Sequence, residues 1–132
     1  MFILDTDILI DHFHGNPDAT VFVRQNLLAG EKLVISVVSV AEILAGMRMG
    51  EEEDTEALLS LFEIYPADEK VARIAGSYLN QFARTQHLDL GDALIAATAQ
   101  ITGGVLFTRN LHHYPMVDIH VVAPYERGGQ AG

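Results

Sequence analysis

The chain has 132 residues, 49% of them hydrophobic and 20% charged, with 18 acidic against 8 basic side chains and a formal net charge of -10. That length and balance fit one folded domain with a sizeable core and exclude a disordered chain. The lack of cysteine excludes a disulfide scaffold, a thiolate zinc site and a cysteine nucleophile, and the acidity argues against broad adhesion to nucleic acid, which needs clustered Lys and Arg.

Phe2, Ile3 and Leu4 are apolar, end at Asp5 and read as a short buried strand. No basic leader precedes them and no apolar run approaches the roughly 20 residues of a membrane span, so the expected location is the cytoplasm, away from membranes. Thr6 or Asp7 is placed to cap a helix through Ile8, Leu9, Ile10 and Phe13, which Gly15-Asn16-Pro17 ends. A second helix follows from about Asp18 to Gly30, and Leu33-Val34-Ile35 is the next strand. A helix from Ser39 to about Met49 carries Ile43, Leu44 and Met47 on one face. Glu51-Glu52-Glu53-Asp54 opens an acidic helix running on through Leu58, Leu59, Leu61 and Phe62, and reads as a solvated helix start. Ile64-Tyr65-Pro66 is a brief extended piece. Asp68 then caps a long helix with Val71, Ile74, Ala75, Tyr78, Leu79 and Phe82.

From Asp92 to about Ile101 runs a helix of small and apolar residues, buried on several sides, with Asp89 as a candidate cap. Gly103-Gly104 turns the chain into a strand at Val105-Leu106-Phe107, and Ile119-His120-Val121-Val122 is a late strand. The tail over 126–132 is expected to be disordered. Short apolar strands alternating with helices predict an α/β fold, with a mainly parallel central sheet flanked by helices on both faces. In such folds sites form just beyond the carboxyl ends of the strands. Asp5, the segment from Ser39 to Glu42, and Thr108-Arg109-Asn110 all follow strands.

Three acids sit where solubility does not account for them. Asp5 closes an apolar run, Glu42 lies within Val40-Ala41-Glu42-Ile43-Leu44, and Asp92 opens Ala93-Leu94-Ile95-Ala96-Ala97. A carboxylate embedded in apolar sequence is costly to bury unless a cation or donors compensate it. Brought together, the three repel one another unless a divalent metal holds them, which points to phosphoryl chemistry. Each has a second reading. Asp5 and Asp7 suit the start of the following helix as caps, Ser39-Val40-Ala41-Glu42 matches a capping box, and Asp92 is favoured in a first helical turn by the dipole. His112-His113 reads as a surface pair, since no H-E-x-x-H spacing occurs among the six histidines.

Four segments together resemble the PIN-domain family of metal-dependent ribonucleases, in particular the VapC-type toxins of toxin–antitoxin pairs. They are Phe2-Ile3-Leu4-Asp5-Thr6-Asp7-Ile8-Leu9-Ile10-Asp11, the run from Ile35 to Gly46 around Glu42, the run from Leu90 to Ala99 around Asp92, and Leu106-Phe107-Thr108-Arg109-Asn110-Leu111-His112-His113-Tyr114. The resemblance implies one nuclease domain over 1–125. It implies that Asp5, Glu42 and Asp92 are catalytic and hold Mg²⁺, with Mn²⁺ as a substitute. Thr6, Asp7, Thr108, Arg109 and Asn110 would line the same pocket. It also implies an RNA substrate, an antitoxin partner and a homodimer. The chain departs from the family at the fourth acid, where it has Asn110 and His113.

Two other readings stay open. Leu4-Asp5-Thr6-Asp7 fits the D-x-D opening of haloacid-dehalogenase-like phosphatases, which also need a well-placed lysine and a late acid pair. A degenerate domain that binds antitoxin or RNA without cutting is compatible with the missing fourth acid. A flavodoxin-like receiver lacks its phosphoacceptor Asp and late Lys.

Overall fold

The apolar runs become strands of one parallel sheet: β1 (Phe2–Leu4), β2 (Leu33–Ser36), β3 (Glu63–Tyr65), β4 (Val105–Phe107) and β5 (His120–Val122). Their order is β3-β2-β1-β4-β5, so β1 lies at the centre. The structure, a computed structural model, describes residues 1–126, and the tail expectation therefore lies, beyond Glu126, outside the described residues. Helices α1 (Thr6–Phe13), α2 (Pro17–Leu28), α3 (Val37–Ala45), α4 (Glu52–Leu59), α5 (Glu69–Gln86) and α6 (Leu90–Thr102) connect the strands, with a 3₁₀ turn at Leu111–His113. Among the described residues no helix is long and apolar enough to cross a membrane.

Successive strand side chains point to opposite faces, and here both faces are covered. Ile3, Val34 and Leu106 pack with Val71, Ala75 and Tyr78 of α5 and Ala93, Ala96 and Ala97 of α6. Leu4, Leu33 and Ile35 pack on the other side with Ile8 and Leu9 of α1, Val23 of α2 and Leu58 and Leu59 of α4. The small residues of α6 let that helix lie close to the sheet, and its four alanines and Ile95 are buried. Gly104 is needed where β4 begins, because a Cβ there would stand 3.0 Å from the carbonyl oxygen of Met1.

The helix starts differ from the sequence expectations in three places. Asp5 caps α1 in place of Thr6 or Asp7, as its second reading above allowed. Asn16 caps α2 and Pro17 occupies its first turn, so the Gly15-Asn16-Pro17 stop is also the next start. Ser36 caps α3, accepting from Val38 N, so the helix begins before Ser39 and ends at Ala45. The Ser39–Glu42 capping box is therefore overturned: Ser39 is buried inside the helix and Glu42 stands beyond its first turn. Asp68 and Asp89 cap α5 and α6 as expected. The extended piece near Ile64 is an edge strand, short and largely exposed, which hides its alternation.

Candidate active site

Parallel pairing puts the carboxyl ends of β1 and β4 level, with Leu4 opposite Phe107 and Asp5 N donating to Phe107 O at 2.9 Å. Asp5 and Thr108 therefore leave the sheet side by side. Asp5 is 6% exposed, and its carboxylate accepts from three donors. These are Thr6 N at 2.7 Å on Oδ1, and the hydroxyls of Thr108 and Tyr114, each at 2.8 Å, on Oδ2. Several donors on one buried carboxylate fix its direction.

Asp7, in the first turn of α1, ties down the loop after β4. Its Oδ2 accepts from Arg109 N and Asn110 Nδ2, both at 3.0 Å, and lies 3.2 Å from the Thr108 hydroxyl. Its Oδ1 is buried with no partner. Burial first, then the charge of Asp5, raises the Asp7 carboxyl from 3.8 to about 6, against the lowering effect of the Arg109 N–H. The Arg109 side chain turns away from the acids. Its Nε stands 2.7 Å from Asp11 Oδ2, close but out of line for a hydrogen bond, and the same oxygen accepts from Tyr125 at 2.8 Å. Of the Thr108-Arg109-Asn110 segment, then, Thr108 reaches the acids and Asn110 braces Asp7, while the guanidinium fastens the loop to α1.

Glu42 approaches from α3. Its Oε1 accepts from the Thr6 hydroxyl, which also meets the buried Ser39 hydroxyl at 2.8 Å. Glu42 Oε2 comes near the start of α6, where a Cβ on Gly91 would stand 3.2 Å from it. A side chain at position 91 would thus crowd the Glu42 carboxylate.

Asp92 opens α6, its N–H held by Asp89 Oδ1 at 2.8 Å. Its Oδ1 lies 3.4 Å from the Tyr114 hydroxyl and its Oδ2 lies 3.6 Å from His113 Nδ1. Burial, then the charges of Asp89 and Asp5 and more weakly Glu42, raises the Asp92 carboxyl from 3.8 to about 7, although Tyr114 opposes this. Burial and the charges of Asp5 and Asp92 keep the Tyr114 phenol well above its ordinary value, so it stays a donor at working pH. Sequence reasoning gave no role to Tyr114 or Asp11, and it read Ser39 as one end of a capping box and His113 as half of a surface pair. The available signal was Tyr114's place in a short loop leaving a strand end that already carries Thr108.

The donors around this rim are carboxylate oxygens from β1, α3 and α6, the hard set that suits Mg²⁺ or Mn²⁺. Burial first, and then the neighbouring negative charges, disfavour the ionised Asp92 carboxyl, and Asp7 Oδ1 is an unpartnered buried acceptor at the same rim. Among the described residues no three acids or histidines stand close enough to hold an ion as the side chains lie. The donor chemistry fits a divalent cation held by Asp5, Glu42 and Asp92, provided that side chains turn toward it. The phosphatase alternative finds no lysine here. Lys32 precedes β2 at the opposite end of the sheet and pairs with Glu63 at 3.2 Å.

The sequence matches the PIN domain over residues 2–116. Ribonuclease VapC10 of Mycobacterium tuberculosis is 40% identical over 122 residues, spanning 89% of this chain and 89% of that protein. Ribonuclease VapC19 of the same species is 36% identical over 118 residues, spanning 88% of this chain and 94% of that protein. A solved structure described as a toxin–antitoxin complex from Klebsiella pneumoniae matches with a TM-score of 0.76 at 30% identity, covering 96% of this chain and 99% of that one. The chain belongs to the PIN domain family, among its VapC-type members.

Proposed function

We propose that this chain is the endoribonuclease toxin of a toxin–antitoxin pair, hydrolysing RNA phosphodiester bonds at the rim formed by Asp5, Glu42 and Asp92 with Mg²⁺, or Mn²⁺ in its place. The observation that carries the reading is the convergence of Asp5 and Asp92, from separate elements, on the Tyr114 hydroxyl, with Asp92 raised by burial and then by the charges around it. The names of the relatives, ribonucleases VapC10 and VapC19, support the reaction class.

A divalent ion bound there lowers the pKa of an attacking water and stabilises charge developing at the scissile phosphate. The chain's own residues arrange the site. Thr6 aims Glu42, Thr108 and Tyr114 aim Asp5, and Asp7 anchors the loop that carries Thr108. A recessed acidic rim reaches a splayed single strand or loop more easily than a duplex, so looped RNA is the expected substrate. Acting in the cytoplasm as a homodimer, the toxin would bring RNA to the site by local contacts, since its net charge of -10 opposes broad ones.

The same acidity suits a small antitoxin with a basic segment. A cavity of about 150 Å³ beside Glu42, lined by Ile10, Phe13, Ile43 and Met47, offers room for an apolar side chain of such a partner. The relative that is a toxin–antitoxin complex supports this partner class.

Purified, antitoxin-free protein should cut a pool of structured cellular RNA into discrete fragments with Mg²⁺ or Mn²⁺, and not in EDTA. Equal cutting in EDTA would remove the metal from the reading. A folded protein that cuts nothing under either metal would favour the non-cleaving binder instead.

Glu42→Gln separates a structural role from a ligand role. Gln keeps an oxygen for the Thr6 hydroxyl, so Tm should stay within about 2 °C, whereas a neutral amide is a poor Mg²⁺ donor and the cleavage rate should fall by roughly a hundredfold. Full activity would leave Glu42 as a tie between α1 and α3.

A further inference from the structure

We propose that Tyr114 is a positioning residue whose hydroxyl fixes Asp5 beside Asp92 at one spacing, so that the two acids act on a single cation. This rests on the reading that those acids are ligands.

Tyr114 is the residue whose side chain meets both acids, 2.8 Å from Asp5 Oδ2 and 3.4 Å from Asp92 Oδ1. A phenol carries one proton. The shorter contact is therefore the hydrogen bond, which fixes Asp5, and Asp92 stands beside the same oxygen without sharing its proton. The ring sits in the core packed by α5 and α6, 5% exposed, while the backbone is fixed by Tyr114 N donating to Leu111 O at 3.0 Å. The hydroxyl thus has little freedom to follow either acid; the acids must settle around it.

The residue before it strengthens the arrangement. His113 Nδ1 faces Asp92 Oδ2 at 3.6 Å, so consecutive residues at the end of the 3₁₀ turn address the two oxygens of one carboxylate. A carboxylate offers about four lone-pair positions. Three donors occupy Asp5, which leaves it able to meet a cation in one direction only. A ring serving packing alone would need no oxygen at this place, because burying a phenol against carboxylates carries a desolvation cost that Phe avoids.

The test is Tyr114→Phe in the full chain, with Mn²⁺ as the probe. Calorimetric titration of Mn²⁺ into antitoxin-free protein should show a dissociation constant about tenfold weaker than wild type, the scale of removing a group that orients a metal ligand. The cleavage rate at saturating RNA should fall by about tenfold as well, with KM for RNA unchanged. Circular dichroism and a thermal melt fix the folded fraction at the titration temperature. A purely structural role for the hydroxyl would lower Tm but leave the Mn²⁺ affinity of the folded protein unchanged, and that result overturns the inference, as does tighter binding. If wild-type protein takes up no Mn²⁺, the ligand reading and this inference fall together. If wild type binds and the variant binds equally, only the role of Tyr114 falls.

Discussion

Asp5→Asn should cut RNA at least roughly a thousandfold more slowly than wild type and lose divalent-ion binding, while remaining folded. The structure makes this a clean substitution. Asn caps a helix as well as Asp does, and its oxygen can keep the Thr6 N–H that now reaches Asp5 at 2.7 Å. Its amide then faces the Thr108 and Tyr114 hydroxyls, which can rotate to accept as readily as they donate. Nothing buried is left unpaired, so the change removes charge and little else. Ala at this position would be a poor control. It would strand the Thr6 N–H and both hydroxyls without an acceptor, at a cost of about 1–3 kcal/mol for each group left unsatisfied. RNA cleavage, Mn²⁺ titration and a thermal melt on the Asn variant together check the expectation. Cutting at the wild-type rate would remove Asp5 from the chemistry and leave it as a cap.

How much of this was visible beforehand depends on whether the cause was local. Leu4-Asp5 at a strand end, Asp89 and Asp68 as caps, and the alanines of α6 are all local patterns, and the structure keeps them. The Ser39–Glu42 capping box failed because the sequence also holds Ser36, one residue before a helix that could begin earlier. Spacing alone cannot choose between two serines, whereas the end of β2 does. Arg109 was legible as a neighbour of the site, but its side chain is drawn to Asp11, a contact between α1 and the loop after β4 that only the folded chain creates. Tyr114 was hidden for the same reason. Its hydroxyl matters because β1 and α6 arrive on either side of it, and its place in a short loop after the Thr108 strand end was the one local signal of that meeting. Acids at strand ends were readable as candidates; the hydroxyls that aim them were not.

Asp92→Asn should also abolish cleavage, yet make the metal-free protein more stable, and the opposite signs are what identify Asp92 as a functional group. The ionised form is disfavoured in the fold by burial and by the charges of Asp89, Asp5 and Glu42, which raise the carboxyl from 3.8 to about 7. A group whose folded pKa is raised costs nothing below its unfolded value, and its penalty grows as pH climbs through the folded value. Wild type and variant should therefore melt together near pH 4, and the variant should melt higher by pH 8. A shift of that size would correspond to about 4 kcal/mol for a fully enclosed group. The Asp92 side chain keeps 21% of its surface in solvent, and screening reduces the gain to about 1 kcal/mol, or about 4 °C in Tm. The N–H of residue 92 still reaches Asp89, so the helix start is undisturbed. With saturating Mg²⁺ the order should reverse, because the cation stabilises the wild type by mass action and gives the variant far less. Thermal melts at pH 4 and pH 8, with and without Mg²⁺, check all of this. A variant less stable than wild type at pH 8 without metal would show that Asp92 serves the helix rather than a site that holds charge for a cation.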